Sequence, residues 1–267
     1  MSAAADTLTD SSPPVLRSDA QGIATLTLNR PAQYNTLSRA MIDAITAELQ
    51  RLATDDAIRV VVLASTGRAF CTGHDMKEMR ANRNEAFLSR LLADCSSMMQ
   101  AIVALPQPVI AKVQGIATAA GCQLVATCDL AVAARSARFA TSGINYGLFC
   151  ATPAVALSRT VARKHALEML YTGDFVDADA AAQIGLVNRT VDDDALDAEV
   201  AALAGRIASK SGYAIKLGKQ SFYTQANQPL DAAYRCAAAD LVRNLLAADG
   251  VEGVDAFFEK REPRFNQ

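Results

Sequence analysis

The chain has 267 residues, 51% of them hydrophobic, with 26 Lys and Arg against 28 Asp and Glu for a formal charge of −2. No basic stripe is present, which argues against nucleic acid as a partner, and no apolar run reaches the ~18 residues of a membrane span. Six scattered cysteines without a CxxC pair, and only two histidines, argue against a zinc site and fit free thiols in a reducing compartment.

The opening "MSAAADTLTDSSPP" carries two Asp and no Lys or Arg. It lacks the apolar centre of a signal peptide and the basic face of a transit peptide, so a disordered N-terminus over 1–14 and a cytoplasmic protein are expected. "GIATLTLNRP" alternates Ala24, Leu26 and Leu28 with Thr25 and Thr27 before Pro31, a strand running into a loop. "LSRAMIDAITAELQRLATDD" offers Ser38 as an N-cap and sets Met41, Ile42, Ile45, Leu49 and Leu52 on one helical face. "IRVVVLAS" is a β-branched run, the mark of a strand covered on both sides. After the loop "TGRAFCTGHDMKEM" the pattern predicts a helix from Glu85 to Leu105, stopped by "PQP", and then the strand "PVIAKVQG". This β-α-β-α-β rhythm belongs to a layered α/β fold. Next, "AAGCQLVATC" reads as a short helix, "DLAVAA" as a strand, and "SARFATSGINYGLF" as a strand followed by an irregular loop. From Thr152 onward the chain is mostly helical, interrupted by the strand "LVNRTV". A soft boundary near Lys210 divides a core over 15–209 from a helical region over 210–267.

The stretch "GIATAAGCQLVATCDLAVAA", Gly115 to Ala134, is almost entirely small or apolar, with a single charged side chain at Asp129. Where a strand runs into a helix, free backbone N–H groups and the positive end of the dipole are presented together. Ala119, Ala120 and Gly121 have no bulk to keep a carbonyl oxygen away. "CTGHDMKE" is a similar turn, with Asp75 and Glu78 placed to charge the helix that follows. Two such amides aimed at one oxygen would make an oxyanion hole. The same small residues also suit plain helix–strand packing, and the residues alone leave both readings open.

Four segments in order, "NRPAQYNTLS", "GRAFCTGHDMKEM", "GIATAAGCQLVATCDLAVA" and "AAAQIGLVNRTV", resemble the crotonase (enoyl-CoA hydratase/isomerase) superfamily from about Gly22 to Phe265. The resemblance implies an α/β spiral of repeated ββα units with a C-terminal helical oligomerisation region. It implies a homotrimer or dimer of trimers acting on an acyl-CoA thioester, with CoA as part of the substrate and neither cofactor nor metal. Carried over by position, the thioester oxygen would rest between the backbone amides of His74 and Ala120. His74, Asp75, Met76 and Lys77 would line the CoA channel, and Lys260 in "FFEKREP" would reach the nucleotide phosphate.

The pattern then breaks. Hydratases of this family add water with two glutamates, because water must lose a proton while the α-carbon gains one. Here those positions are Gln123, which does not titrate near neutral pH, and Gly143, which has no side chain. Efficient hydration is therefore not expected, and restoring both glutamates should restore it if the scaffold is otherwise intact. Cys150 and Tyr146 stand in the loop where other members keep different acid and base groups, and each also reads as an ordinary packing residue. The His74 ring stands in the same position, and His165 reads as a helix-surface residue. The chain is expected to be either a lyase or isomerase that stabilises an enolate or a catalytically silent acyl-CoA binder. A Rossmann enzyme would need GxGxxG after its first strand, and a serine protease of this fold a Ser-His-Asp set; neither is found.

Overall fold

A computed structural model describes residues 12–265. Most of the expected disordered N-terminus, residues 1–11, lies outside the described residues; Ser12 to Pro14 are held, with Asn29 N donating to the Pro14 carbonyl at 2.7 Å. The chain then makes an unexpected hairpin of β1 (Val15–Ala20) and β2 (Ile23–Leu28). Its turn residues Gln21 and Gly22 both have positive φ, 52° and 73°, the pairing that matches the twist of a two-residue hairpin.

Helix α1 (Arg39–Leu52) starts at the expected cap, Ser38, whose hydroxyl accepts from Met41 N, and buries the five expected apolar side chains. There follow β3 (Val60–Ser65), β4 (Ala69–Cys71), α2 (Met76–Ala81), α3 (Glu85–Ala104), β5 (Val109–Val113), β6 (Ile116–Thr118) and α4 (Ala120–Thr127). The next turn holds β7 (Leu130–Ala134), β8 (Arg138–Ala140), a 3-10 segment over Ser142–Tyr146, α5 (Ala151–Thr160) and α6 (Arg163–Thr172). Then come β9 (Val176–Asp177), α7 (Ala178–Gln183), β10 (Arg189–Val191) and α8 (Leu196–Ala208). Helices α9 (Gly212–Gln225), α10 (Leu230–Leu246) and α11 (Ala248–Glu259) form a C-terminal annex.

The strands make two sheets. One runs β1-β2-β3-β5-β7-β10 and is parallel apart from the first pair; the other runs β4-β6-β8-β9 and is parallel apart from the last. Consecutive strands β3 and β4, β5 and β6, β7 and β8 sit in different sheets, and each pair is followed by helix. This is the spiral of ββα units that the resemblance implied. Every residue of β3 is buried because the large sheet is covered twice. Val60, Val62, Ile110 and Val132 pack on Leu196, Val200 and Leu203 of α8. Val61 and Leu63 face the main core with α1, α3 and α4.

The second sheet positions the site. Its strands β4, β6 and β8 are side by side, and each ends at the start of a helix or 3-10 turn. Segments separated in the sequence at His74, Ala120 and Gly143 are thereby brought to one end of the same small sheet.

Candidate active site

The turns after β4 and β6 are packed backbone against backbone. A Cβ built on Gly73 would lie 2.9 Å from Ala119 Cβ and 3.2 Å from Ala120 N; one on Gly121 would lie 1.9 Å from the Cys71 carbonyl oxygen. Gly73 also has φ of +87°. Only glycine meets both demands, an unhindered approach and a conformation that L side chains avoid. Thr118 adds a side-chain tie, its hydroxyl donating to the Thr72 carbonyl at 3.3 Å.

The direction of two amides follows from peptide geometry. In a trans peptide the C=O and the next N–H point opposite ways. The Gly73 carbonyl accepts from Leu37 N at 2.8 Å, so the His74 N–H is directed away from Leu37. The Ala119 carbonyl accepts from Gln123 N at 3.0 Å along the axis of α4, so the Ala120 N–H leaves through the helix N-terminus. No side chain caps α4, because its N-cap is Ala119. That residue has φ 49° and ψ −120°, a glycine-like conformation forced on an alanine. Such strain costs about 1–3 kcal/mol and persists where the surroundings over-determine it, commonly at functional sites.

The expected side chains fall into three groups. Asp75 caps α2, its Oδ1 accepting from Lys77 N at 2.8 Å and Glu78 N at 3.0 Å, while Met76 and Lys77 are exposed on the first turn. His74 is half-buried, with Nδ1 3.4 Å from the Leu37 carbonyl and a buried Nε2 without a partner among the described residues. Burial holds its pKa below the ordinary value, so the imidazole is neutral. Gln123 is 4% exposed on the first turn of α4, and its Oε1 is buried with no partner among the described residues. A buried carboxamide oxygen left in this way has an open acceptor for a water or a ligand.

The third group is Gly143, Tyr146 and Cys150. Cys150 is the N-cap residue of α5 and 8% exposed, and its sulfur lies 2.9 Å from where a Cβ on Gly143 would be. The Gly143 N–H donates to that sulfur, which lowers the thiol pKa, but burial outweighs it and the net shift is upward. Cys150 is therefore a protonated thiol occupying the space beside Gly143. The same geometry corrects the expectation that glutamate could simply be restored at this position: a Cβ on Gly143 would also sit 2.6 Å from the Leu148 carbonyl oxygen. Tyr146 is 80% exposed, its ring in solvent in the single chain. Lys260 caps α11 in the annex, also exposed. Two grooves of ≈ 760 and ≈ 510 Å³ lie along the annex helices, and none of the expected site residues lines them.

Fold and site geometry together define a spiral ββα protein whose second sheet brings the turn at Gly73 and the start of α4 into contact. The enoyl-CoA hydratase/isomerase family model matches residues 18–267, and the chain belongs to that family. Among relatives, enoyl-CoA hydratase domain-containing protein 3 of Rattus norvegicus, a mitochondrial protein by name, is 43% identical over 242 residues, 91% of this chain and 81% of its own. The human protein of that name has a crystal structure that superposes with a TM-score of 0.92 at 42% identity, over 94% of this chain and 100% of that one. An enoyl-CoA hydratase from Mycobacterium smegmatis superposes with a TM-score of 0.94 at 52% identity, over 96% of this chain and 100% of that one. The cytoplasmic placement expected from the N-terminal composition is corrected by the same likeness, since the protein 3 relatives from rat, zebrafish and human are all named mitochondrial.

Proposed function

We propose that this chain binds an acyl-CoA thioester with its carbonyl oxygen between the His74 and Ala120 amides and stabilises the enolate that forms from it. The observation that carries this reading is the contact between the two turns, with Gly73 bare where any side chain would cover Ala120 N. The uncapped N-terminus of α4 leaves that amide for an incoming oxygen, and an electrostatic contribution of this kind rises in a site that excludes water.

The reaction proposed is lyase or isomerase chemistry rather than efficient hydration. Gln123 can hold a water or a substrate oxygen but cannot take its proton. Cys150, kept as a thiol by burial, is fitted to give a proton to a carbanionic carbon rather than to attack as a thiolate. Tyr146 becomes available only if its loop folds inward or a neighbouring subunit covers it. Asp75, Met76 and Lys77 border the CoA path in this reading. Lys260 contributes from the annex, and no metal or separate cofactor enters.

Assembly as a homotrimer or a dimer of trimers is part of the same proposal. The annex exposes the large apolar side chains of Leu241, Val242, Leu246, Phe257 and Phe258, which a subunit interface would cover.

The test is calorimetric binding of a panel of acyl-CoA thioesters, run beside assays for hydration, double-bond migration and C–C cleavage. Binding with turnover that depends on Cys150 supports the enzyme. Binding without turnover supports the second reading, a silent acyl-CoA binder, which the replacement of both glutamates favours. No binding to any thioester refutes both.

A further inference from the structure

The single charge in the small-residue stretch, Asp129, has no part in the site described above, yet its carboxylate accepts three hydrogen bonds from three separate residues. It follows directly on the C-cap of α4, Cys128. Its Oδ2 accepts from Val109 N at 2.7 Å, at the start of β5, and from Lys219 Nζ at 2.7 Å; its Oδ1 accepts from the Tyr223 hydroxyl at 2.9 Å. Lys219 spends its other two protons on the Ile102 and Gln107 carbonyls, each at 3.0 Å. Gln107 in turn donates to the Leu52 carbonyl at 2.8 Å. The Lys219 and Asp129 side chains are 5% and 15% exposed.

Two features set this network apart from a surface ion pair. First, Lys219 is the only fully buried side chain of α9 among the described residues, so the deepest contact of this annex helix with the spiral is a charge. Second, the network grips α4 at one end while the other end offers the Ala120 amide. The last turn of α4 is also tied by Thr127 Oγ1 to the Gln123 carbonyl at 2.8 Å and by Thr160 Oγ1 to the Ala126 carbonyl at 3.0 Å, whereas its first turn has no cap. A helix of eight residues behaves as a rigid rod about 12 Å long, so a shift at its C-terminal end is transmitted to its first amide.

We infer that Asp129, Lys219 and Tyr223 are positioning residues: they hold α4 in the register that aims the Ala120 N–H, and they make that aim depend on the docking of α9. The inference rests on the thioester reading of the site and adds the part of the chain that sets its geometry. Charge is suited to the task because a buried pair repays its desolvation only when its geometry is excellent, which favours one register of α4 and α9 over its neighbours.

The test uses the full-length protein and 4-(dimethylamino)cinnamoyl-CoA, whose absorption moves to longer wavelength when hydrogen-bond donors polarise its thioester carbonyl. The variants are Tyr223→Phe, Asp129→Asn, Lys219→Met and Lys219→Arg, with Leu203→Ala, in the α8 packing, as a control for simple loss of stability. One hydrogen bond to a charged acceptor is worth roughly ten- to a hundredfold in the folding equilibrium, so Tyr223→Phe should remain folded even if Asp129→Asn does not. Expected is a red shift in the wild type, a diminished shift at near wild-type affinity in Tyr223→Phe, a further loss in any folded Asp129→Asn, partial recovery in Lys219→Arg relative to Lys219→Met, and the full shift in Leu203→Ala. A full shift in Tyr223→Phe, or an equal loss in Leu203→Ala, overturns the inference. A wild type that binds the probe without any shift defeats the two-amide reading itself, and the positioning role with it, so the two failures are told apart by the wild-type spectrum.

Discussion

Gly73→Ala adds one methyl group at the narrowest point between the two turns. The new Cβ would lie 2.9 Å from Ala119 Cβ and 3.2 Å from Ala120 N, against the about 3.5–4.0 Å of a comfortable carbon contact. Two costs follow. Alanine at φ +87° carries backbone strain of about 1–3 kcal/mol, which lowers stability whatever the site does. Covering the Ala120 amide removes one of two donors, a loss of about 2.7–4 kcal/mol of transition-state stabilisation, or roughly 10²- to 10³-fold in turnover. A second substitution separates them. Gly73→Ala with Ala119→Gly removes the Cβ–Cβ contact and the strain at φ 49° but leaves the methyl over Ala120 N, so the melting temperature should recover while thioester affinity and turnover stay low. The readouts are thermal unfolding and calorimetric titration with an acyl-CoA, with turnover added for any thioester that reacts. A folded Gly73→Ala with wild-type affinity and turnover would refute the claim that the oxygen rests on Ala120 N.

Gly121→Ala places a methyl 1.9 Å from the Cys71 carbonyl oxygen inside a fully buried helix and should cost about 1–3 kcal/mol or more in chemical denaturation; an unchanged midpoint would show that α4 and β4 are not in contact. Gln123→Glu with Gly143→Glu should fail to gain crotonyl-CoA hydration, because the second side chain meets the Leu148 carbonyl at 2.6 Å and the Cys150 sulfur at 2.9 Å; measurable hydration in the folded double variant would mean that this loop yields readily. Burial lowers the His74 pKa below its ordinary value of about 6.5, so the unfolded chain binds a proton that the folded chain refuses. The sign is fixed by that difference: the His74 contribution is complete above about pH 6.5 and is lost as pH falls below it, so His74→Gln should melt with a flatter dependence between about pH 7 and 5, and parallel curves would count against it.

Much of this architecture was legible because it is periodic. The face of α1, the cap at Ser38 and the doubly covered β3 follow from spacing and side-chain type alone. The second sheet was legible only in part: β8 falls in the strand expected at "SARFATSG", but β4 and β6 have three residues each, too short for any alternation to register. The hairpin strand β1 escaped for a different reason, since "VLRSDA" is mostly exposed and carries a charge on either side of its serine. At the site, motif order marked His74, Ala120, Gln123 and Gly143, but not that Cys150 fills the space beside Gly143 or that the Tyr146 ring points to solvent. Lys219 gave no signal in the sequence, because a lysine on an amphipathic helix ordinarily faces water.

By itself the sequence determined where backbone could run bare of side chains, and hence which amides could ever meet a ligand, because glycine and alanine are the residues that leave them uncovered. Tertiary structure decided which of those bare turns come into contact and what surrounds them. That choice depends on strands of the small sheet lying side by side, on a sulfur reaching across a loop, and on a buried ion pair between helices distant in the chain. Each is a contact between residues whose separation no local pattern encodes.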